Sequence, residues 1–294
     1  VNDLISKNIK EYGQENIGCL ISGQSTSEEH FLFQKIFKKL GITNIDHRTK
    51  ESDFSYQDSY PIMPSLGCNL NDLKKYKNII LVGVNVKTEY PVLSIRLNAL
   101  AKNNTKVYSF NFNSLEENFS LHHKQIITHD NIDLFLNTSN FSLENGETLF
   151  IIGPSVSRSP NQSSILRKIS EFSSSIDANI GFLTEFCNST SGWLLGNLPH
   201  RELGGGKPRQ IGKNSYEMIK SHLSSYIFYN LEPEFDFFNK QDLEHALDTS
   251  KCNIFFTSYI TPIIEKYADI IIPITTFAET DGGYINIKGT YQTS

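Results

Sequence analysis

Metal-site spacing is missing from this chain. Its four cysteines, Cys19, Cys68, Cys187 and Cys252, are far apart and none forms a Cys-x-x-Cys pair. That spacing excludes the common iron–sulfur and zinc arrangements and leaves free, buried thiols in a reducing compartment as the expectation. No uncharged apolar run approaches the roughly 20 residues that span a bilayer, and the amino-terminal residues lack the pattern of a signal peptide. Direct membrane insertion is therefore not expected. Positive charge is also short: 27 Lys and Arg stand against 32 Asp and Glu, for a formal net charge of −5. A nucleic-acid-binding surface is not expected on that balance, and Lys35, Lys38 and Lys39 read as the solvated face of a helix. Nucleotide fingerprints are absent as well. There is no Gly-x-Gly-x-x-Gly, and Gly204-Gly205-Gly206-Lys207 is followed by Pro208 where a P-loop needs Ser or Thr. A mobile loop is the expectation there. His122, His123 and His129 have no carboxylate or thiol at ligand spacing and read as surface residues.

The chain does carry a repeating order of elements. Apolar bursts at 17–22, 78–84, 106–110, 148–153, 180–183, 226–230, 253–257 and 269–272 alternate with helical spacing at 28–40, 91–102, 163–173, 241–247 and 262–267. Strand alternating with helix implies parallel sheets covered on both faces, an α/β class, and 294 residues is enough for about two domains. Segments 112–146 and 199–216 lack apolar periodicity and read as loops.

Two units resemble one another. Ile79 to Asn85 and Leu149 to Ser155 each run a buried strand into a glycine and then toward a helix, which makes Gly83, Asn85 and Gly153 candidate ligand positions. Glycine there permits positive φ and close approach of a phosphate to backbone amides, or merely turns the chain out of its strand. A third candidate group follows the run Tyr267 to Pro273, whose apolar residues stopped by proline read as a buried parallel strand. Its turn holds Glu279, Asp281 and Gly282, as an acid–base pair or as residues that cap and orient a glycine-rich turn. In open α/β sheets ligands bind at the carboxyl ends of strands. Gly83 and Gly153 are accordingly expected at strand ends in different lobes, with the 279–286 turn reaching the same crevice.

The order Ala268-Asp269-Ile270-Ile271-Ile272-Pro273, Phe277, Glu279, Gly282-Gly283, Asn286 and Gly289 to Gln292 resembles a signature of the molybdopterin oxidoreductase superfamily. It is similar in particular to the branch found in respiratory complex I, the G subunits of NADH:quinone oxidoreductase. Gly41 to Arg48 with Asp53-Phe54, Leu81 to Asn85 with Pro91-Val92-Leu93 and Arg96, Gly181-Phe182-Leu183 with Asn188-Ser189 and Gly192-Trp193-Leu194, and Glu232 to Asp236 continue the likeness in order.

That resemblance implies two doubly wound, Rossmann-like lobes with parallel sheets, one inserted in the other. Residues 1–45 and 146–294 would form the first lobe and 46–145 the insert. Catalytic relatives clamp the two arms of a molybdopterin guanine dinucleotide between such lobes and ligate molybdenum near the start of the insert. Here that stretch offers Asp46, His47 and Arg48 without a thiol, and the arginine of the family's Gly-Arg-x-Gln element is Thr290. The complex I branch implies a vestigial pocket at Gly83, Asn85, Gly153, Glu279, Asp281 and Gly282, with no catalytic residue and no metal. It implies a segment without a cofactor, while [2Fe-2S] and [4Fe-4S] clusters belong to another part of the subunit. Partners would be the other peripheral-arm subunits of complex I and that iron–sulfur part. The location would be peripheral, on the cytoplasmic side of a bacterial inner membrane or the matrix side in an organelle. The alternative is a catalytic fragment of a molybdenum oxidoreductase such as a formate dehydrogenase. Val1 in place of a methionine reads as a piece of a longer polypeptide.

Overall fold

The computed structural model describes residues 2–128, 143 and 147–294. In chain order the strands are β1 (Ile17–Ile21), β2 (Ile45–Asp46), β3 (Asn78–Val82), β4 (Lys106–Asn111), β5 (His123–Ile126) and β6 (Thr148–Ile152). They continue as β7 (Asn179–Phe182), β8 (Ser225–Tyr229), β9 (Cys252–Thr257), β10 (Ile270–Pro273), β11 (Gly283–Ile285) and β12 (Tyr291–Thr293). The helices begin with α1 (Asn2–Tyr12), α2 (Ser27–Lys39), α3 (Val86–Glu89), α4 (Pro91–Lys102) and α5 (Pro154–Ser157). They end with α6 (Gln162–Ser175), α7 (Ser189–Leu194), α8 (Ser215–Lys220), α9 (Lys240–Thr249) and α10 (Pro262–Tyr267).

Two parallel five-stranded sheets result, as an alternation of strands and helices demands. The first has the order β10-β9-β8-β1-β2 and the second β5-β4-β3-β6-β7. In both, successive residues of the central strands are buried on opposite faces. Leu20, Phe228 and Phe255 pack against α8, α9 and α10, while Cys19, Ile21, Ile227 and Ile254 pack toward α1 and α2. In the second sheet Ile80, Val82, Phe110 and Phe150 meet α6, and Ile79, Leu81, Val107 and Ile151 meet α4. Unbroken apolar runs are what a sheet buried on both faces requires.

The insert is larger than expected. β6 pairs with β3 in register Asn78↔Thr148 to Val82↔Ile152, and β7 pairs with β6. Residues 148–182 therefore belong to the second sheet, not to the lobe of residues 1–45 and 146–294. The cause is pairing partner: a buried strand followed by glycine reads the same in either sheet, and only tertiary contact decides which neighbour it takes. Gly83 and Gly153 consequently sit in one lobe, on adjacent strands, and the expectation of different lobes is corrected. Strand β10 also differs, since its residues alternate between half-buried and exposed at the edge of its sheet. The 112–146 stretch read as a loop contains the edge strand β5, whose polar sequence hides its pairing with β4. Gly204 and Gly205, with φ of 70° and 84°, lie in a three-residue 3-10 turn inside the 199–216 connector.

Candidate functional site

Each sheet reverses its strand order once, between β1 and β8 in the first and between β3 and β6 in the second. Such switch points open a crevice at the strands' carboxyl ends. The chain leaves β2 through His47 to Glu51 directly into a cavity shared with Gly153 after β6, with Phe182 at the end of β7 and with Glu185 beyond it. Both sheets thus aim their carboxyl ends at one interlobe crevice.

Side chains of the chain itself fill the bottom of that crevice. Its enclosed volume is about 30 Å³, room for roughly one or two water molecules. Trp193 forms the floor: Tyr60 stacks on it at 4.8 Å, and the guanidinium carbons of Arg48 and Arg201 lie 5.1 and 5.3 Å from its ring centre. Contacts of this kind are favourable when shielded from water. Arg201 donates to the carbonyls of Pro61 at 3.1 Å, Gln57 and Asp58 at 3.0 Å and Tyr60 at 2.7 Å. Burial, then the charge of Arg48, draws its pKa down.

Asp46 is fully committed to structure. Arg48 Nε and Nη2 donate to its two carboxylate oxygens at 2.9 and 2.8 Å, and the backbone N–H groups of His47, Arg48 and Ser215 donate as well. Burial favours the neutral acid, yet Arg48 and these donors hold the carboxyl below its ordinary range. An aspartate bound this way has no free oxygen lone pair suited to a metal.

Sequence reading passed over the most perturbed acid in the crevice. Burial pushes the Glu51 carboxyl up to about 8, with Asp46 and Glu185 adding repulsion and Arg48 opposing it. Its signal was its position three residues after an arginine, too weak to stand out. Around it, Glu185 takes two hydrogen bonds from Arg158 at 2.7 and 2.8 Å and lies 3.3 Å from Lys50. Burial also lowers His47 to about 4 and His200 to about 3, so both rings are neutral at pH 7.

The six candidate positions divide into two places. Gly83 has φ of +63°, and a Cβ on it would lie 2.6 Å from Val156 Cγ2. A Cβ on Gly153 would lie 2.3 Å from Val84 Cβ and 2.5 Å from the Gly83 carbonyl oxygen. Both glycines serve the close approach of two adjacent turns of this chain. Asn85 caps α3, accepting from Thr88 N at 3.3 Å. On the other side, Glu279 accepts from the N–H and hydroxyl of Thr276 at 3.0 and 2.8 Å and stabilises its own turn. Gly282 lies against Thr26, where a Cβ would come within 2.5 Å of the methyl. Asp281 is exposed. Two residues further on, Gly283 N donates to Glu28 at 2.8 Å, docking the β11–β12 hairpin on the start of α2.

Asn188 joins the two places. It is fully buried, its oxygen accepts from Ile285 N at 2.8 Å and Ser191 Oγ at 2.6 Å, and its amide donates to Ser25 O at 2.7 Å. A groove of about 530 Å³ remains above it, between Pro154 and Arg158 on one wall and Ile285 to Ile287 on the other. Arg158 is the cation of that groove, and Glu185 and Glu89 already pair with it. A pyrophosphate arm would face those two carboxylates, so the residues present do not suit the guanine dinucleotide arms that the family implies. Among the described residues no group of three His, Cys, Asp or Glu could hold a metal ion. His122 and His123 pack against Tyr108 and Phe110, and His129 lies outside the described residues. Cys19 and Cys252 are buried, as expected of free thiols, whereas Cys187 is exposed.

Comparison with known proteins identifies the fold. The structure matches acetylene hydratase from Pelobacter acetylenicus with a TM-score of 0.62 and 11% identity over 99% of this chain. The match takes in 54% of the hydratase chain, so the present chain spans about half the length of that relative. It also matches a chain of the formyltransferase/hydrolase complex (FhcABCD) from Methylorubrum extorquens, in complex with methylofuran. There the TM-score is 0.60 at 10% identity, with 99% of this chain and 88% of that one covered. At such identities the likeness is one of fold. No curated protein sequence matches the chain. The family model of molybdopterin oxidoreductases matches residues 1–294, and the chain belongs to that family.

Proposed function

We propose that this chain is the molybdopterin-oxidoreductase-like part of the G subunit of a proton-translocating NADH:quinone oxidoreductase. In that role it is a scaffold without a cofactor that supports the iron–sulfur electron-transfer part. The observation that carries this reading is the filled crevice. Where the family places a cofactor, Trp193, Tyr60, Arg48 and Arg201 interlock over a volume of about 30 Å³. Asp46, the carboxylate in the stretch where the family's metal ligand would stand, is saturated by Arg48 and backbone donors. The ordered likeness from Gly41 to Gln292 supports the complex I branch over a formate dehydrogenase.

A scaffold needs rigidity between its lobes. The four carbonyl bonds of Arg201 tie residues 57–61 to the segment after Trp193, and an unpaired charge in that environment costs several kcal/mol. The chain would sit peripherally beside the membrane, with the other peripheral-arm subunits and the iron–sulfur part of its own subunit as partners. No helix of the described residues is long and apolar enough to cross a membrane.

Expression in a host that synthesises molybdopterin guanine dinucleotide, followed by elemental analysis, tests the reading. The expected product carries neither molybdenum nor tungsten. Near-stoichiometric metal that survives repeated purification would establish the catalytic alternative instead. In a second measurement, the iron–sulfur part supplied in trans should raise the thermal midpoint of this chain, as a ligand of the native state does.

A further inference from the structure

Away from the crevice, two histidines meet at the outer corner of α8 and α9. His222 follows the last turn of α8 and His245 lies in the second turn of α9, with ring centres 4.6 Å apart at an interplanar angle of 76°. Both residues are exposed. Their hydrogen bonds run through the backbone: His222 N donates to Ile219 O at 3.4 Å, and His245 O accepts from Thr249 Oγ1 at 3.0 Å. The imidazole nitrogens are thus left to solvent.

The backbone singles out His222. Its φ is +48°, in the left-handed region. A residue that ends a helix in this way is ordinarily glycine or asparagine, because a Cβ crowds the neighbouring carbonyl oxygen there. The turn itself does not call for an imidazole, whereas the ring that stands on it meets His245. The helices beneath fix that meeting. Lys220 Nζ reaches Asp242 at 2.7 Å and Tyr216 packs on Phe238 at 4.8 Å, which ties α8 to the start of α9. Asp242 therefore neutralises the cation closest to His222 in the chain, and Asp248, one turn beyond His245, is exposed and adds negative charge.

Two imidazoles held this way are a chelate. A metal about 2.0–2.1 Å from one nitrogen of each ring puts the ring centres roughly 4.5 Å apart when the two bonds meet at about 90°, and roughly 5.2 Å apart at the tetrahedral angle. The observed 4.6 Å suits the right angle of square-planar and octahedral ions, which separates Cu(II) and Ni(II) from Zn(II). The pair supplies two ligands and solvent the others. It is an open surface site, distinct from the three-residue groups that are absent among the described residues.

We infer that His222 and His245 form a surface site for a divalent transition-metal ion that prefers right angles, Cu(II) above all and Ni(II) next, linking the end of α8 to α9. This inference does not rest on the proposed respiratory role.

Isothermal titration of the full-length protein with Cu(II), joined to electron paramagnetic resonance of the bound ion, tests it. A Cys187→Ser background removes the exposed thiol. A saturable Cu(II) ion coupled to two imidazole nitrogens is expected, and Ni(II) should bind more tightly than Zn(II). His222→Ala and His245→Ala should each weaken Cu(II) binding at least about tenfold and leave one coupled nitrogen. His122→Ala, exposed beside another histidine, should do neither. His222→Gly separates the site from the fold: it should abolish the two-nitrogen signal while raising the thermal midpoint, since glycine takes the left-handed conformation freely. Absence of a saturable site overturns the inference. So does a bound ion with a single imidazole nitrogen, an affinity that His222→Ala and His245→Ala leave unchanged, or an equal loss in His122→Ala. Zn(II) binding tighter than Ni(II) would overturn the right-angle assignment.

Discussion

The interlobe crevice and the outer face of α2 put the same kinds of residue to opposite use. In the crevice, charges are buried and apolar surface is consumed: Asp46 and Arg48 are 0% and 5% exposed around a closed aromatic floor. On α2, Lys35 and Lys39 face water, Lys38 pairs with Glu202 at 3.1 Å, and Leu32 and Ile36 stand out to water. Filling the floor of the crevice with the chain's own side chains buries Arg48 and Arg201 against Trp193 and gives each of them polar partners. Leu32 and Ile36 instead remain 55% and 53% exposed. The contrast separates an internal brace from an open surface.

Breaking the brace should have the largest effect. Arg48→Met leaves the Asp46 carboxylate buried among donors that cannot neutralise it, and about 3–5 kcal/mol of stability should be lost. The urea midpoint is the measurement, and the double variant Asp46→Asn, Arg48→Met should recover part of the loss. Recovery would show that the stranded charge, not the lost packing, dominates.

Next in size is the packing between the two switch-point turns. Gly153→Ala forces a methyl to within 2.3 Å of Val84 Cβ, and overpacking of this kind costs about 1–3 kcal/mol. Gly204→Ala is the control, since it has φ of +70° but nothing within 4 Å of the new methyl. It should show only the left-handed backbone cost of about 1–2 kcal/mol. Equal losses at the two positions would mean that the Gly153 turn can relax and is not tightly braced.

The pH dependence of stability should be smaller and of two signs. Glu51 is raised from an ordinary 4.5 to about 8. Its contribution is complete below pH 4.5 and is lost as pH rises through 8. His47 and His200 are lowered from 6.5 to about 4 and about 3. Their contribution is complete above pH 6.5 and is lost as pH falls. Glu51→Gln should remove the decline between pH 4.5 and 8 while leaving the acid limb below pH 6.5 intact, as urea midpoints at a series of pH values would show. If the alkaline decline persists in that variant, Glu51 is not its source.

The smallest effect belongs outside the crevice. Phe277 is 89% exposed in the loop after β10, and Phe277→Ser should change stability by no more than about 0.5 kcal/mol. A larger change in thermal midpoint would place Phe277 in the core and blur the distinction between brace and open surface.

Much of the fold was legible in the chain because buried parallel strands announce themselves as unbroken apolar runs. Ile79 to Val82 and Leu149 to Ile152 needed no tertiary information to be recognised as strands. The α2 capping box of Thr26 and Glu29, with bonds of 3.2 and 2.7 Å, is equally local. So is the pairing of Asp46 with Arg48 two residues away, within reach of any extended turn. The sequence by itself thus determined the α/β class, the order of elements and the family likeness. Strand partnership, by contrast, is a choice among surfaces that look alike along the chain. Only the tertiary structure decided that β6 joins β3, which moved Gly153 into the lobe of Gly83 and shifted the domain boundary. It also decided that the glycines serve close packing, that Glu51 holds its proton near neutral pH, and that Arg201 reaches across 140 to 144 residues to four carbonyls. Desolvation and close approach are properties of what surrounds an atom, and most of what surrounds these atoms is distant in the sequence.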